Sequence, residues 1–125
     1  MVLLDTSVWI DHFRSGVPLV EELAVSQRLL CHPFVVGELA CGNLANRTRT
    51  LRMLDRLPEA RRAVSSEVRA AIETQALSGR GVGFVDMHLF VSARLTPDTL
   101  LWSRDRRLLA LASAAGIAFS ERRLH

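Results

Sequence analysis

Four acidic residues, Asp5, Glu38, Asp86 and Asp105, span most of the 125-residue chain, and each stands where a carboxylate is conspicuous. Asp5 ends the apolar run Val2 to Leu4. Glu38 is the single charged residue between Arg28 and Arg47. Asp86 follows the glycine-rich stretch SGRGVG, and Asp105 lies in LLWSRDRRL. Together they form a set of hard oxygen donors with no histidine triad and no paired thiolates, a set suited to Mg²⁺ or Mn²⁺. Four anions gathered in one cleft without a cation would raise one another's pKa values and destabilise the fold. A divalent ion resolves that conflict. It can also orient a water, lower its pKa and neutralise charge on a phosphodiester during in-line attack.

Each acid also has a plainer explanation. Asp5 could be a turn or cap residue, and an N-cap is the commoner fate of an Asp placed as Asp86 and Asp105 are. Glu38 lies in an apolar helix whose face it shares with Phe34, Val35, Cys41 and Gly42. If buried it needs a partner, either an Arg or a metal. His88 follows Asp86 by two residues and could contact a substrate, although a packed or solvated His is the usual outcome. His12, His32 and His125 form no constellation. Arg104, Arg106 and Arg107 surround the last acid, and Arg49, Arg52 and Arg56 fall on one helical stripe; either group could meet the phosphates of a polyanion. For the stripe, a solvated face or a partner contact serves equally well. Trp9 and Trp102 are expected in the core, and with so few aromatics a base-stacking platform is not expected.

The elements that must position these residues read as short apolar strands alternating with helices. VLLD is the first strand, followed by helices over Ser7 to Arg14 and Pro18 to Ser26, the latter with Pro18 in its first turn. LLCH is the second strand. Helices follow over PFVVGELACGNLA and RTRTLRMLDRL, then a weak third strand RRAVS, a helix EVRAAIETQAL capped by Ser65 or Ser66, and another beginning near Asp86. DTLLWS is the fourth strand, DRRLLALASAAG a helix, and IAF a short fifth strand. The expected architecture is an α/β sandwich of three layers around a central, mostly parallel five-stranded sheet, in one domain over residues 1–125. In such a sheet ligands bind outside the carboxyl ends of the strands, where the strand order reverses. Asp5 and Asp105 would meet at that edge.

Composition narrows the function classes. The formal charge is +3, the pI is about 10.0, and all 16 basic residues are Arg, so a polyanionic partner is plausible. The Arg bias itself is better ascribed to coding composition than to a site. Cys31 and Cys41 are too few and too far apart for a disulfide framework or a zinc knuckle, and reduced, buried thiols are expected. The amino-terminal run lacks a basic region and is interrupted by Asp5, unlike a secretory signal. Pro33, Gly37, Glu38 and Gly42 argue against a membrane span in the low-charge stretch around them. The expected location is the cytoplasm, with no membrane partner.

In their order and spacing, LLDTSVWID, FVVGELACG, GFVDMHLFVSA and LLWSRDRRL resemble a PIN-domain ribonuclease, specifically the VapC toxins of VapBC toxin-antitoxin pairs. The resemblance runs the whole length of the chain. It implies that Asp5, Glu38, Asp86 and Asp105 form the acidic catalytic site, with Asp5, Asp86 and Asp105 as metal ligands. Ser103 would be the supporting hydroxyl, where the family usually has Thr or Asn. It further implies Mg²⁺- or Mn²⁺-dependent endonucleolytic cleavage of structured RNA such as transfer or ribosomal RNA loops, with Arg104 and Arg106 as substrate-binding candidates. A homodimer and silencing by a VapB-type antitoxin in a hetero-oligomer complete what the family implies.

Two other classes compete. A phosphoacceptor receiver domain also places Asp at strand ends but uses a Lys, and this chain has none. A PIN-like module that binds RNA or protein without catalysis is the other alternative, and the presence of all four acids argues against it.

Overall fold

The computed structural model describes residues 1–121, so His125 lies outside the described residues. The chain begins with β1 (Val2–Leu4), and helices α1 (Thr6–Ser15) and α2 (Pro18–Val25) lead to β2 (Leu29–Leu30). Helices α3 (Pro33–Ala40), α4 (Arg47–Arg56), α5 (Ser65–Thr74) and α6 (Phe84–Leu95) then precede β3 (Leu100–Trp102), which is followed by α7 (Arg106–Ala114). The strands form one parallel sheet in the order β2-β1-β3, with Val2 opposite both Leu29 and Leu100. Parallel strands are stable when both faces are covered, and the side chains of Val2, Leu3 and Leu4 are fully buried.

The sheet has three strands among the described residues, not the five expected from sequence. The segment RRAVS is not a strand, and two of its backbone donors are taken by hydroxyls of α6 and of its C-cap, Thr96. Arg61 N–H donates to Thr96 Oγ1 at 2.9 Å and Ala63 N–H to Ser92 Oγ at 3.1 Å. Its neighbour Glu59 makes only a single parallel bridge to Cys31. At the opposite edge, IAF contributes one bridge, Ala118 to Leu101, secured by Leu101 N–H to Ile117 O at 2.7 Å and Phe119 N–H to Leu101 O at 2.9 Å.

Helix α6 is buried at every position from Met87 to Ala93, as expected for a helix that is apolar on all sides and lies in the core. It packs on α5, on α7 and on β3. Trp9, Trp102 and Phe90 are among the largest fully buried side chains. Cys31 is buried and its thiol is pushed up to about 11, chiefly by burial, whereas Cys41 is exposed, contrary to the expectation that both thiols lie inside. Among the described residues no helix is long and apolar enough to cross a membrane.

Candidate active site

In this sheet the chain leaves β1 for β2 on one side and returns to β3 on the other, so the strand order reverses between the carboxyl ends of β1 and β3. Asp5 and Asp105 sit at those two ends. Asp5 N–H donates to Trp102 O at 3.0 Å, which joins the strand ends directly beneath them.

Asp5 is buried, and each of its carboxylate oxygens is held by a serine. Ser7 Oγ donates to Oδ1 at 2.5 Å, and Ser103 Oγ donates to Oδ2 through a short hydrogen bond. Both serines in turn accept from the connection between β3 and α7: Arg104 N–H donates to Ser7 Oγ and Asp105 N–H to Ser103 Oγ, each at 3.0 Å. Val8 N–H adds a third donor to Oδ1 at 3.2 Å, so Asp5 is also the N-cap of α1. Burial raises the Asp5 carboxyl above its ordinary value; the bonds from Ser103, Ser7 and Val8 pull it down, and Asp105 adds to the rise.

Asp105 is exposed and caps α7, accepting from Arg107 N–H at 3.0 Å and Leu108 N–H at 3.1 Å, both on Oδ1. Asp86 is not a cap. Gly83 holds that position on α6, and Asp86 lies inside the first turn without a capping bond. Its carboxyl is pushed up to about 6, first by burial and then by the charges of Asp5, Asp105 and Glu38. Asp86 thus feels acids from three other parts of the chain, and Asp5 feels Asp105.

Glu38 differs from the sequence expectation of a buried carboxylate. It is exposed on α3 and accepts from Thr6 Oγ1 at 2.7 Å, with no Arg partner. The apolar composition of α3 misleads because the helix leaves Phe34 41% exposed. Among the described residues none of the four acids is in an ion pair, and no three His, Cys, Asp or Glu side chains close around a single point as a ready metal cage.

Arg104 is engaged elsewhere. Its guanidinium pairs with Asp11 at 3.0 Å and Glu121 at 2.7 Å, which raises its pKa further and draws that of Glu121 down. Arg106 is exposed and in no ion pair among the described residues, and Arg49, Arg52 and Arg56 are exposed on α4. His88 is buried two residues from Asp86, which places it on the opposite side of α6. It packs edge-on against Phe34 and Phe84, with ring centroids 4.9 and 4.7 Å away, and its Nε2 lies 3.3 Å from Ser65 Oγ.

Sequence reasoning missed Ser7 and Thr6. The signal was present in the triplet Asp5-Thr6-Ser7, since a hydroxyl just after an N-cap Asp can reach it, as Ser7 does, but Arg104, the second partner of Ser7, and Glu38, the partner of Thr6, are remote in sequence.

Residues 2–114 match the family described as PIN domain. The chain is 38% identical over 121 residues to proteins named Ribonuclease VapC32 from two strains of Mycobacterium tuberculosis, CDC 1551 / Oshkosh and ATCC 25618 / H37Rv, covering 97% of this chain and 98% of theirs. With both ends of the strand-order reversal occupied by acids and the match extending over nearly its whole length, the chain belongs to the PIN-domain family and, within it, to the VapC proteins.

Proposed function

We propose that the protein is a metal-dependent endoribonuclease toxin that cleaves loops of structured RNA, such as transfer or ribosomal RNA, and is silenced by a cognate VapB-type antitoxin. One observation carries this reading: the charges of Asp5, Asp105 and Glu38 all bear on Asp86, while none of the four acids is in an ion pair among the described residues. A fold gains nothing from such crowding. A bound divalent cation gives it a purpose.

The donor chemistry fits Mg²⁺ or Mn²⁺. All four side chains offer the hard oxygens that such ions take together with several waters. Asp5, Asp86 and Asp105 would hold it, with Glu38 completing the acidic rim. When bound, such an ion supplies an activated water and offsets charge on the phosphodiester. The chain's own residues do the rest. Ser7 and Ser103 fix the orientation of Asp5, Thr6 fixes Glu38, and the α7 backbone fixes Asp105, so three of the four carboxylates are aimed before substrate arrives. Arg106, unpaired at the rim, is the better placed of the two substrate-binding candidates; Arg104 would first have to release Asp11 and Glu121.

The VapC relationship supports an antitoxin partner, a homodimer and a toxin-antitoxin hetero-oligomer acting in the cytoplasm. The deciding experiment is RNA cleavage by purified, antitoxin-free protein with Mg²⁺, with Mn²⁺ and with EDTA. Cleavage is expected with either ion and absent in EDTA. Equal cleavage in EDTA overturns the metal mechanism, and RNA binding without cleavage under any condition indicates a silent module.

A further inference from the structure

Asp105 also lines an open cleft of about 800 Å³, together with Arg80, Arg104, Arg106, Arg107 and the apolar Ala110 and Leu111. Arg104 is compensated by Asp11 and Glu121, but Arg80, Arg106 and Arg107 are exposed and form no ion pair among the described residues. Three uncompensated guanidinium groups in one concavity repel one another. They are tolerated at little cost in water and gain most when an anion with several charged groups lies between them.

The two walls are built from distant segments brought together by a glycine. Arg106 and Arg107 start α7, whereas Arg80 lies on the loop between α5 and α6, flanked by Gly79 and Gly81, both at φ +74°. The side chain of Arg107 lies directly on Gly81: a Cβ built there would come within 2.8 Å of Arg107 Cδ and 2.9 Å of its Nε. Any residue but glycine at position 81 would therefore displace Arg107, besides being strained by its backbone angle. The same loop leads into Asp86, and Asp105 forms a wall of both the cleft and the acidic rim.

We propose that this cleft seats the ribose-phosphate backbone of the RNA on one side of the scissile bond, with Arg80, Arg106 and Arg107 each facing a phosphate, and that Gly81 is a positioning residue that lets Arg107 reach its phosphate. This rests on the four acids being the nuclease site. A polyanion must approach four carboxylates to be cut, and the adjacent guanidinium groups offset that repulsion at the one wall the two sites share. An acidic peptide would satisfy the arginines equally but would bring no scissile phosphodiester to Asp105.

The test uses the full chain in EDTA, so that binding is read without cleavage. Affinity for a short, labelled single-stranded RNA is measured by fluorescence anisotropy against salt concentration for wild type, Arg80→Ala, Arg107→Ala, the double variant, and Gly81→Ala alone and combined with Arg107→Ala. Each Arg removal is expected to lower the slope of log affinity against log salt by about 0.7, the double variant to bind roughly tenfold or more weakly at low salt, and Gly81→Ala to add nothing once Arg107 is gone. The proposal is overturned if wild type shows no salt-dependent RNA binding, if the double variant keeps wild-type slope and affinity, or if its loss is confined to binding a poly-glutamate peptide. Additive losses from Gly81→Ala and Arg107→Ala overturn the positioning role. RNA binding with the expected slopes by a protein that never cleaves leaves the cleft standing and removes the nuclease reading; cleavage with an unchanged KM in the double variant removes the cleft alone.

Discussion

Ser103 donates its hydroxyl to Asp5 Oδ2 while accepting from the backbone N–H of Asp105, so one serine ties together the acids at the ends of β1 and β3. A hydroxyl is the smallest group that can accept and donate at once between a buried carboxylate and a helix start.

Ser103→Ala leaves a buried carboxylate oxygen without its donor, which should cost about 1–3 kcal/mol. Ser103→Thr retains the hydroxyl and should recover most of the stability and activity. Urea denaturation of the three proteins, paired with RNA cleavage, checks this; equal stability of the Ala and Thr variants would refute it.

Asp105 serves as a helix cap whatever else it does, and Asn caps about as well as Asp. Asp105→Asn should therefore melt close to wild type in EDTA, whereas Asp105→Ala should lose roughly 1 kcal/mol. Both should lose cleavage, because neither offers a second carboxylate oxygen to a hard cation. An active Asn variant would reduce Asp105 to its capping role.

Asp86 carries the pH dependence. Burial, with the neighbouring acids, raises its carboxyl in the folded protein to about 6 from an ordinary value of 3.8. Between those values the folded state binds more protons than the unfolded chain, so stability falls as pH rises through that window and the contribution is lost above it. In EDTA, the melting temperature of wild type should drop from pH 4 to pH 6 by more than that of Asp86→Asn. Parallel curves would show that Asp86 does not titrate under like charge.

Divalent metal should reverse that repulsion. At a concentration a hundredfold above its dissociation constant, an ion bound only by the folded state adds about 2.7 kcal/mol. Mg²⁺ or Mn²⁺ should raise the melting temperature of wild type, and the rise should shrink in Asp5→Asn and Glu38→Gln. Ca²⁺ and NaCl controls at matched ionic strength separate binding from screening. An undiminished rise in the variants would place the ion elsewhere.

The parallel sheet and the placement of Asp5 were legible because an apolar run buried on both faces and ending in an Asp has few other uses in an α/β chain. The fifth and third strands were not: RRAVS has strand-like composition, but Ser92 of α6 and Thr96 at its C-cap take two of its amides, and sequence cannot reveal a competitor thirty residues away. Glu38 was conspicuous for its isolation among apolar residues, yet that same isolation suggested burial, because hydropathy does not tell an exposed apolar helix face from a core one. The plainer alternative of a helix cap, weighed for both Asp86 and Asp105 beside the metal site, holds for Asp105 and not for Asp86, since Gly83 is the N-cap of α6 three residues earlier. Ser7 and Arg107 were visible only as neighbours of Asp5 and Asp105, and the role of Gly81 was not readable, because the remote partners of all three are brought to them only by the closed fold.

The short sheet carries a consequence for recognition. β2 has two residues, and each flank of the sheet is closed by one bridging residue, Glu59 on one side and Ala118 on the other. An edge this short and this occupied gives another chain little backbone to extend. Contact with another protein through added strands is thus disfavoured among the described residues, which leaves helix faces and side chains as the surfaces on offer.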